Sequence, residues 1–186
     1  MATFPAKPAN GNRQWEIDLD PLCHSCFQEE ESCSQVLRCT HAGRVEALMT
    51  SIILLQDWMT EMETNPVLVQ CIVGHAKGRG GRSLQEVCRG KGEQYKWMVA
   101  TQDTIGWRKF MEGMICQDWC SLQERHSIKD RGLPRSSSAW ASSLVVRLLE
   151  ITHGQWLYRC IQVHDRLQGT LITARKEDLQ RRIKEE

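Results

Sequence analysis

The residues best placed to do chemistry lie near the N-terminus. Cys23-His24-Ser25-Cys26 carries the two-residue gap that lets a pair of thiolates close a small chelate turn on one metal ion. Cys33, Cys39 and His41 follow within fifteen residues. Tetrahedral zinc with sulfur ligands is the chemistry this pattern suits, and Cys23, Cys26, Cys33 and Cys39 are the candidate ligands. The second pair is spaced more widely than a zinc knuckle and falls where helix is expected. The default for these residues is therefore reduced structural thiols that pack as small hydrophobes, with zinc as the sharper alternative and no other cofactor implied.

A second candidate is the loop Gly78-Arg79-Gly80-Gly81-Arg82. It lacks the glycine and lysine order of a phosphate loop. It looks instead like a single arginine-glycine box, in which Lys77, Arg79 and Arg82 would fork onto nucleic-acid phosphates. A solvent-exposed interhelical turn, its glycines supplying positive φ, is the simpler account of the same residues.

Enzyme signatures are weaker. His153 and His164 lie about three helical turns apart, too far for one metal or one proton relay. The dipeptide His164-Asp165 has no accompanying histidine cluster to make a phosphohydrolase site. Cys116 and Cys120, one turn apart, read as core. A non-catalytic role is favoured over an enzyme whose site is assembled from dispersed Cys, His and Asp residues.

Composition narrows the class. The 186 residues are 41% apolar and 25% charged with a formal net charge of +1, so no global field draws the molecule to DNA or to an anionic membrane. Charge is segregated locally. Residues 14–37 carry six acids and no Lys or Arg, and residues 74–97 carry six bases against two acids. Self-complementarity or solvation of the two regions is the simpler reading, and a partner surface the alternative. The first residues lack a secretory apolar core and no stretch is long enough to span a bilayer. An intracellular location, cytoplasmic or nuclear, with the nine cysteines reduced, is expected.

The positioning elements are helices. From Gly43 to Glu63 apolar residues at Val45, Leu48, Ile52, Leu55, Met59 and Met62 alternate steps of three and four, and Met49, Ile53, Leu54 and Trp58 widen that seam. The fold class expected is all-α, an irregular multi-helix bundle around a central helix at about residues 43–64. A short helix is expected within Phe27–Cys39, with Val36 and Leu37 as its buried side. Val67–Val73, too short to classify by period alone, is read as a buried helix in preference to a strand, and Ser83 with Glu86 as a capping box opening another helix. A long helical region around Tyr95–Trp119, in one piece or two, is followed by a helix capped by Ser137 or Ser138. In that last helix the polar face shifts phase and predicts a kink at His153-Gly154. A short hairpin near residues 157–173 is the rival to helix there. The organisation expected is a disordered tail at 1–13, a helical domain at 14–130, a linker at 131–138, and a C-terminal helical segment at 139–186. That segment packs on the domain or on a partner. Its closing seam of Ile172, Leu179 and Ile183 asks for a protein partner or a second copy of the chain.

The stretches WRKFMEGMI at 107–115 and LLEITHGQWLYRCIQVHD at 148–165, followed by GTLITARKEDLQ, resemble a family of uncharacterised proteins. That family occurs in many copies in some microbial-eukaryote genomes, often near retroelement reading frames. The similarity runs from about Cys23 to the C-terminus, with Cys160 standing where a polar residue such as Asn is expected. The resemblance implies a mobile-element context and assigns no chemistry.

Overall fold

A computed structural model describes residues 21–131 and 136–185. The expected tail at 1–13 and half of the linker expected at 131–138, residues 132–135, lie outside the described residues. Within them the fold is all-α: eight α-helices and one 3-10 turn, with a single isolated bridge between Leu22 and Glu30 as the extended pairing.

The central helix is α2 (Ala42–Glu61). Its buried residues are Arg44, Leu48, Ile52, Leu55 and Met59, the middle of the seam that three-and-four spacing predicts, while its predicted ends Val45 and Met62 are only half-buried and Arg44 takes the N-terminal position. Ile53 and Leu54 do not widen it, since they remain 55% and 65% exposed. Ahead of it the chain makes a hairpin-like turn and then α1 (Cys33–Arg38), shorter than the Phe27–Cys39 helix expected. Ser32 caps α1 by accepting the Gln35 N–H, and Val36 and Leu37 are buried as predicted.

After Asn65, whose side chain accepts the Val67 N–H, Pro66 opens α3 (Pro66–Lys77) at a position where its missing N–H is not needed. The capping box on Ser83 and Glu86 starts α4 (Leu84–Val87). A 3-10 turn (Glu93–Tyr95) leads into α5 (Lys96–Ile105), then α6 (Trp107–Met111) and α7 (Asp118–Arg131). The expected one or two helices here are three, because Gly106 and Gly113 both adopt φ +86°, a left-handed conformation that ends a helix. Asp103 does not cap a helix in its own strip of sequence. Its carboxylate accepts the Leu84 and Gln85 N–H groups at 2.6 and 2.9 Å and so holds the start of α4.

The last helix, α8 (Ser137–Glu185), is 49 residues long. The hairpin alternative near 157–173 is thereby excluded, and helix continues through the predicted kink at Gly154, because no sheet edge is at hand to reward an extended chain. Its start is held by Ser136, one residue earlier than expected, whose hydroxyl accepts the Ala139 N–H at 3.2 Å. The helix packs on α1, α2, α6 and α7, which places the C-terminal segment on the first helical body. No helix among the described residues is long and apolar enough to cross a membrane.

Buried polar groups stitch the core. The indole N–H of Trp107 donates to the His75 carbonyl at 2.9 Å, that of Trp140 to Thr64 Oγ1 at 2.9 Å, and that of Trp119 to Gln102 Oε1 at 3.0 Å. Cys71 on α3 and Cys88 at the end of α4 are disulfide-bonded, with Cα atoms 5.8 Å apart. This corrects the expectation of reduced thiols throughout: α3 packs on α4 and brings the two into bonding range.

Candidate metal centre

Cys23, Cys26 and Cys39 converge. Their sulfurs lie within 4.8 Å of one another, and the three can hold a metal ion. The Cys23 and Cys39 sulfurs are 3.6 Å apart. A tetrahedron with metal–sulfur bonds of ~2.3 Å has an edge of about 3.8 Å, so the spacing already suits a four-coordinate ion.

Local structure explains the convergence. The first two thiols sit in a tight turn closed by hydrogen bonds from the Phe27 N–H to the Cys23 carbonyl and from the Cys23 N–H to the Glu29 carbonyl, both 2.8 Å. Phe27 takes φ +56°, a conformation a bulky residue adopts only where its surroundings enforce it. The chain then returns through α1, and Cys39, immediately beyond that helix, drops onto the turn. Cys33 does not join them. It occupies the exposed first position of α1, so the four-cysteine set read from the sequence becomes three.

The backbone is arranged to favour thiolate. Burial opposes ionisation of Cys23, but N–H groups of Cys26 and Ser25 and the neighbouring thiols of Cys39 and Cys26 outweigh it and bring its pKa down to about 7. Burial pushes the Cys39 thiol up, to about 11, and Cys23 and Cys26 act in the same direction against the His41 N–H. Three thiols alone therefore hold one negative charge readily and a second with difficulty. A divalent cation removes that repulsion and takes up all three as thiolates, with release of their protons.

The surroundings are cationic. Arg44 is 1% exposed, donates from Nε to Ser25 Oγ at 2.8 Å and from Nη1 to the Val36 carbonyl at 3.0 Å, and leaves Nη2 buried without a hydrogen-bond partner. The guanidinium also lies over the Tyr158 ring, 5.7 Å from its centroid. Its buried positive charge is still costly without negative charge close by, which a metal–thiolate group beside Ser25 would supply. Sequence reasoning passed over Arg44, although it continues the α2 seam four residues before Leu48. The centre is tied to the rest of the fold by Gln35, whose amide reaches Cys26 Sγ at 3.5 Å, and by Arg159 of α8, whose Nε meets Glu31 Oε1 at 2.6 Å. The acidic N-terminal region is thus matched at Glu31 by α8 and not by the basic loop.

The glycine-arginine loop has a different role from the one its composition suggests. Arg79 turns inward and donates to the carbonyls of Arg38 and Cys39, and burial lowers its guanidinium pKa. Lys77 and Arg82 remain exposed. The three basic residues therefore do not form one phosphate-facing set. One of them supports the backbone that carries Cys39.

Close to this loop His75 is 1% exposed, and both ring nitrogens are buried without hydrogen-bond partners. Burial holds its pKa below the ordinary histidine value, against the opposing pull of Asp103. With a folded pKa below the unfolded one, the stability tied to His75 is intact above about pH 6.5 and is lost as pH falls through the folded pKa, because the unfolded chain takes the proton first. His75→Leu should therefore narrow the gap between urea midpoints measured at pH 7.5 and pH 5. The wild-type slope attributable to this residue is at most about 1.4 kcal/mol per pH unit. Equal slopes in the two proteins would show that His75 does not resist protonation.

The chain matches no family model, no curated protein and no solved structure.

Proposed function

We propose that this protein is a non-catalytic helical interaction module whose N-terminal segment is pinned by one zinc ion, and which binds protein helices, a second copy of the chain among them, through the outer face of α8. One observation carries the reading. At about 100° per residue, Trp140, Ala141, Leu144, Leu148, Ile151 and Gln155 form the buried face of α8, while Val146, Leu149, Trp156, Leu157 and Ile161 fall on the opposite side. Those five are 45–58% exposed. A surface helix normally carries one apolar stripe, and a second one facing water is a binding surface awaiting cover.

Zinc is favoured over other ions by the thiolate donors and their tetrahedral spacing. The resemblance to proteins found near retroelement reading frames supports an accessory role in a mobile element. Nucleic-acid binding through Lys77 and Arg82 would be a second activity of such an accessory, resting on two exposed cations and not three.

Light scattering on the full chain tests the interaction face. The wild type should show a concentration-dependent mass above the 21.4 kDa monomer. The double variant Leu157→Asp/Ile161→Asp should keep its helicity, since both side chains face water, and associate at least about tenfold more weakly, a difference of ~1.4 kcal/mol. Two monomers at every concentration would remove self-association from the proposal.

A further inference from the structure

We propose that His41 is the fourth ligand of the metal centre, closing it as a structural Cys3His site with Cys23, Cys26 and Cys39. The inference rests on the zinc reading above and goes beyond it by settling whether the fourth position is protein or solvent. A structural zinc takes four protein ligands, whereas a catalytic one leaves a position open to water.

Three observations converge on His41. It stands two residues after Cys39, and its carbonyl accepts the Arg44 and Val45 N–H groups at 3.0 Å, so its Cα is held at the start of α2 directly beyond the ligand turn. Its Nδ1 is buried without a hydrogen-bond partner, a state that costs about 1–3 kcal/mol and that a metal ion relieves. It also occupies the N-cap position of α2 without making a side-chain cap hydrogen bond, so rotating the ring onto the metal gives up no cap. In the described geometry the imidazole instead faces Tyr158, ring centroids 6.5 Å apart at 48°.

Charge selects the same group. Zinc with three thiolates and a neutral imidazole carries one net negative charge, matching the single positive charge of the buried Arg44 guanidinium. A fourth thiolate from Cys33 would double the negative charge, and Cys33 is exposed at the first position of α1, outside the cluster of the three other sulfurs. His24, within the Cys23–Cys26 turn, is the other nearby imidazole and is 8% exposed.

The test is a Co2+ titration of the full chain followed by Zn2+ competition. The wild type should bind one Co2+ with the intense visible bands of a tetrahedral three-sulfur, one-nitrogen site. His41→Ala should weaken Zn2+ binding by at least about 100-fold, the upper end of what losing an outer partner of a ligand does, and shift the bands. His41→Cys should restore affinity with a four-sulfur spectrum, which separates ligand loss from misfolding. Cys33→Ser and His24→Ala should leave both readouts unchanged. Wild-type affinity and spectrum in His41→Ala, or transfer of the loss to Cys33→Ser or His24→Ala, would overturn the assignment of His41 while leaving the zinc reading in place. Absence of any Co2+ or Zn2+ uptake by the wild type would overturn both.

Discussion

Cys39→Ser should unfold the N-terminal segment while sparing the helical body. Loss of a metal site belongs to the small class of changes that exceed about 4 kcal/mol, and for a chain of this length each kcal/mol shifts Tm by ~2–4 °C. A drop of roughly 10–15 °C is expected. The local reporter is Arg44, which is 1% exposed when folded. Its burial depends on the Cys23–Cys26 turn through Ser25 Oγ. In Cys39→Ser trypsin should cut after Arg44 well before it cuts after Arg147 within α8. Cys33→Ser, altering an exposed thiol outside the cluster, should behave as wild type. Equal melting temperatures and digestion patterns for Cys39→Ser and wild type would mean that the cluster is ordinary core packing.

The second large effect lies at Gln102, which is 0% exposed. Its Nε2 donates to the Met114 carbonyl at 3.0 Å, and its Oε1 accepts the Cys116 N–H at 2.9 Å and the Trp119 indole N–H at 3.0 Å. One amide thus holds the connection between α6 and α7 in place. Gln102→Leu preserves volume but leaves three buried groups unsatisfied, each worth about 1–3 kcal/mol. Allowing for relaxation, the expected loss is about 3–5 kcal/mol by urea denaturation. Trp119, 0% exposed and stacked 6.1 Å from Phe110, should report it by a red-shifted emission. A loss under about 1 kcal/mol would show that water can replace the amide at this junction.

What the sequence disclosed and what it concealed divide along the range of the interactions. The α2 seam, the Val36–Leu37 pair and the Ser83–Glu86 capping box were legible, because each is fixed by residues within a few positions of one another, whereas Asn65-Pro66, legible as the end of α2, also opens α3. The split into α5, α6 and α7 was not, since it depends on Gly106 and Gly113 taking positive φ and on Gln102 bridging across fourteen residues to Cys116. A period-based reading places Gln102 on a helical stripe but says nothing of what it bonds. At the candidate metal centre the Cys23–Cys26 gap was plain. The choice of Cys39 over Cys33 was not, because it turns on where α1 begins and on the chain coming back. Arg79 was misleading for a related reason: glycines that look like solvent-facing slack instead let a guanidinium reach the carbonyls of Arg38 and Cys39. The pairing of Cys71 with Cys88, seventeen residues apart on separate helices, carries no local signature at all.

Metal analysis of the full chain, purified without chelator, bears most directly on the claim that a zinc ion organises the N-terminal segment. Native mass spectrometry should find one zinc per chain, and its removal by a chelator should free three further thiols to reaction and expose Arg44 to trypsin. Protein that is fully folded with less than stoichiometric zinc, and whose digestion is unchanged by chelation, would contradict it.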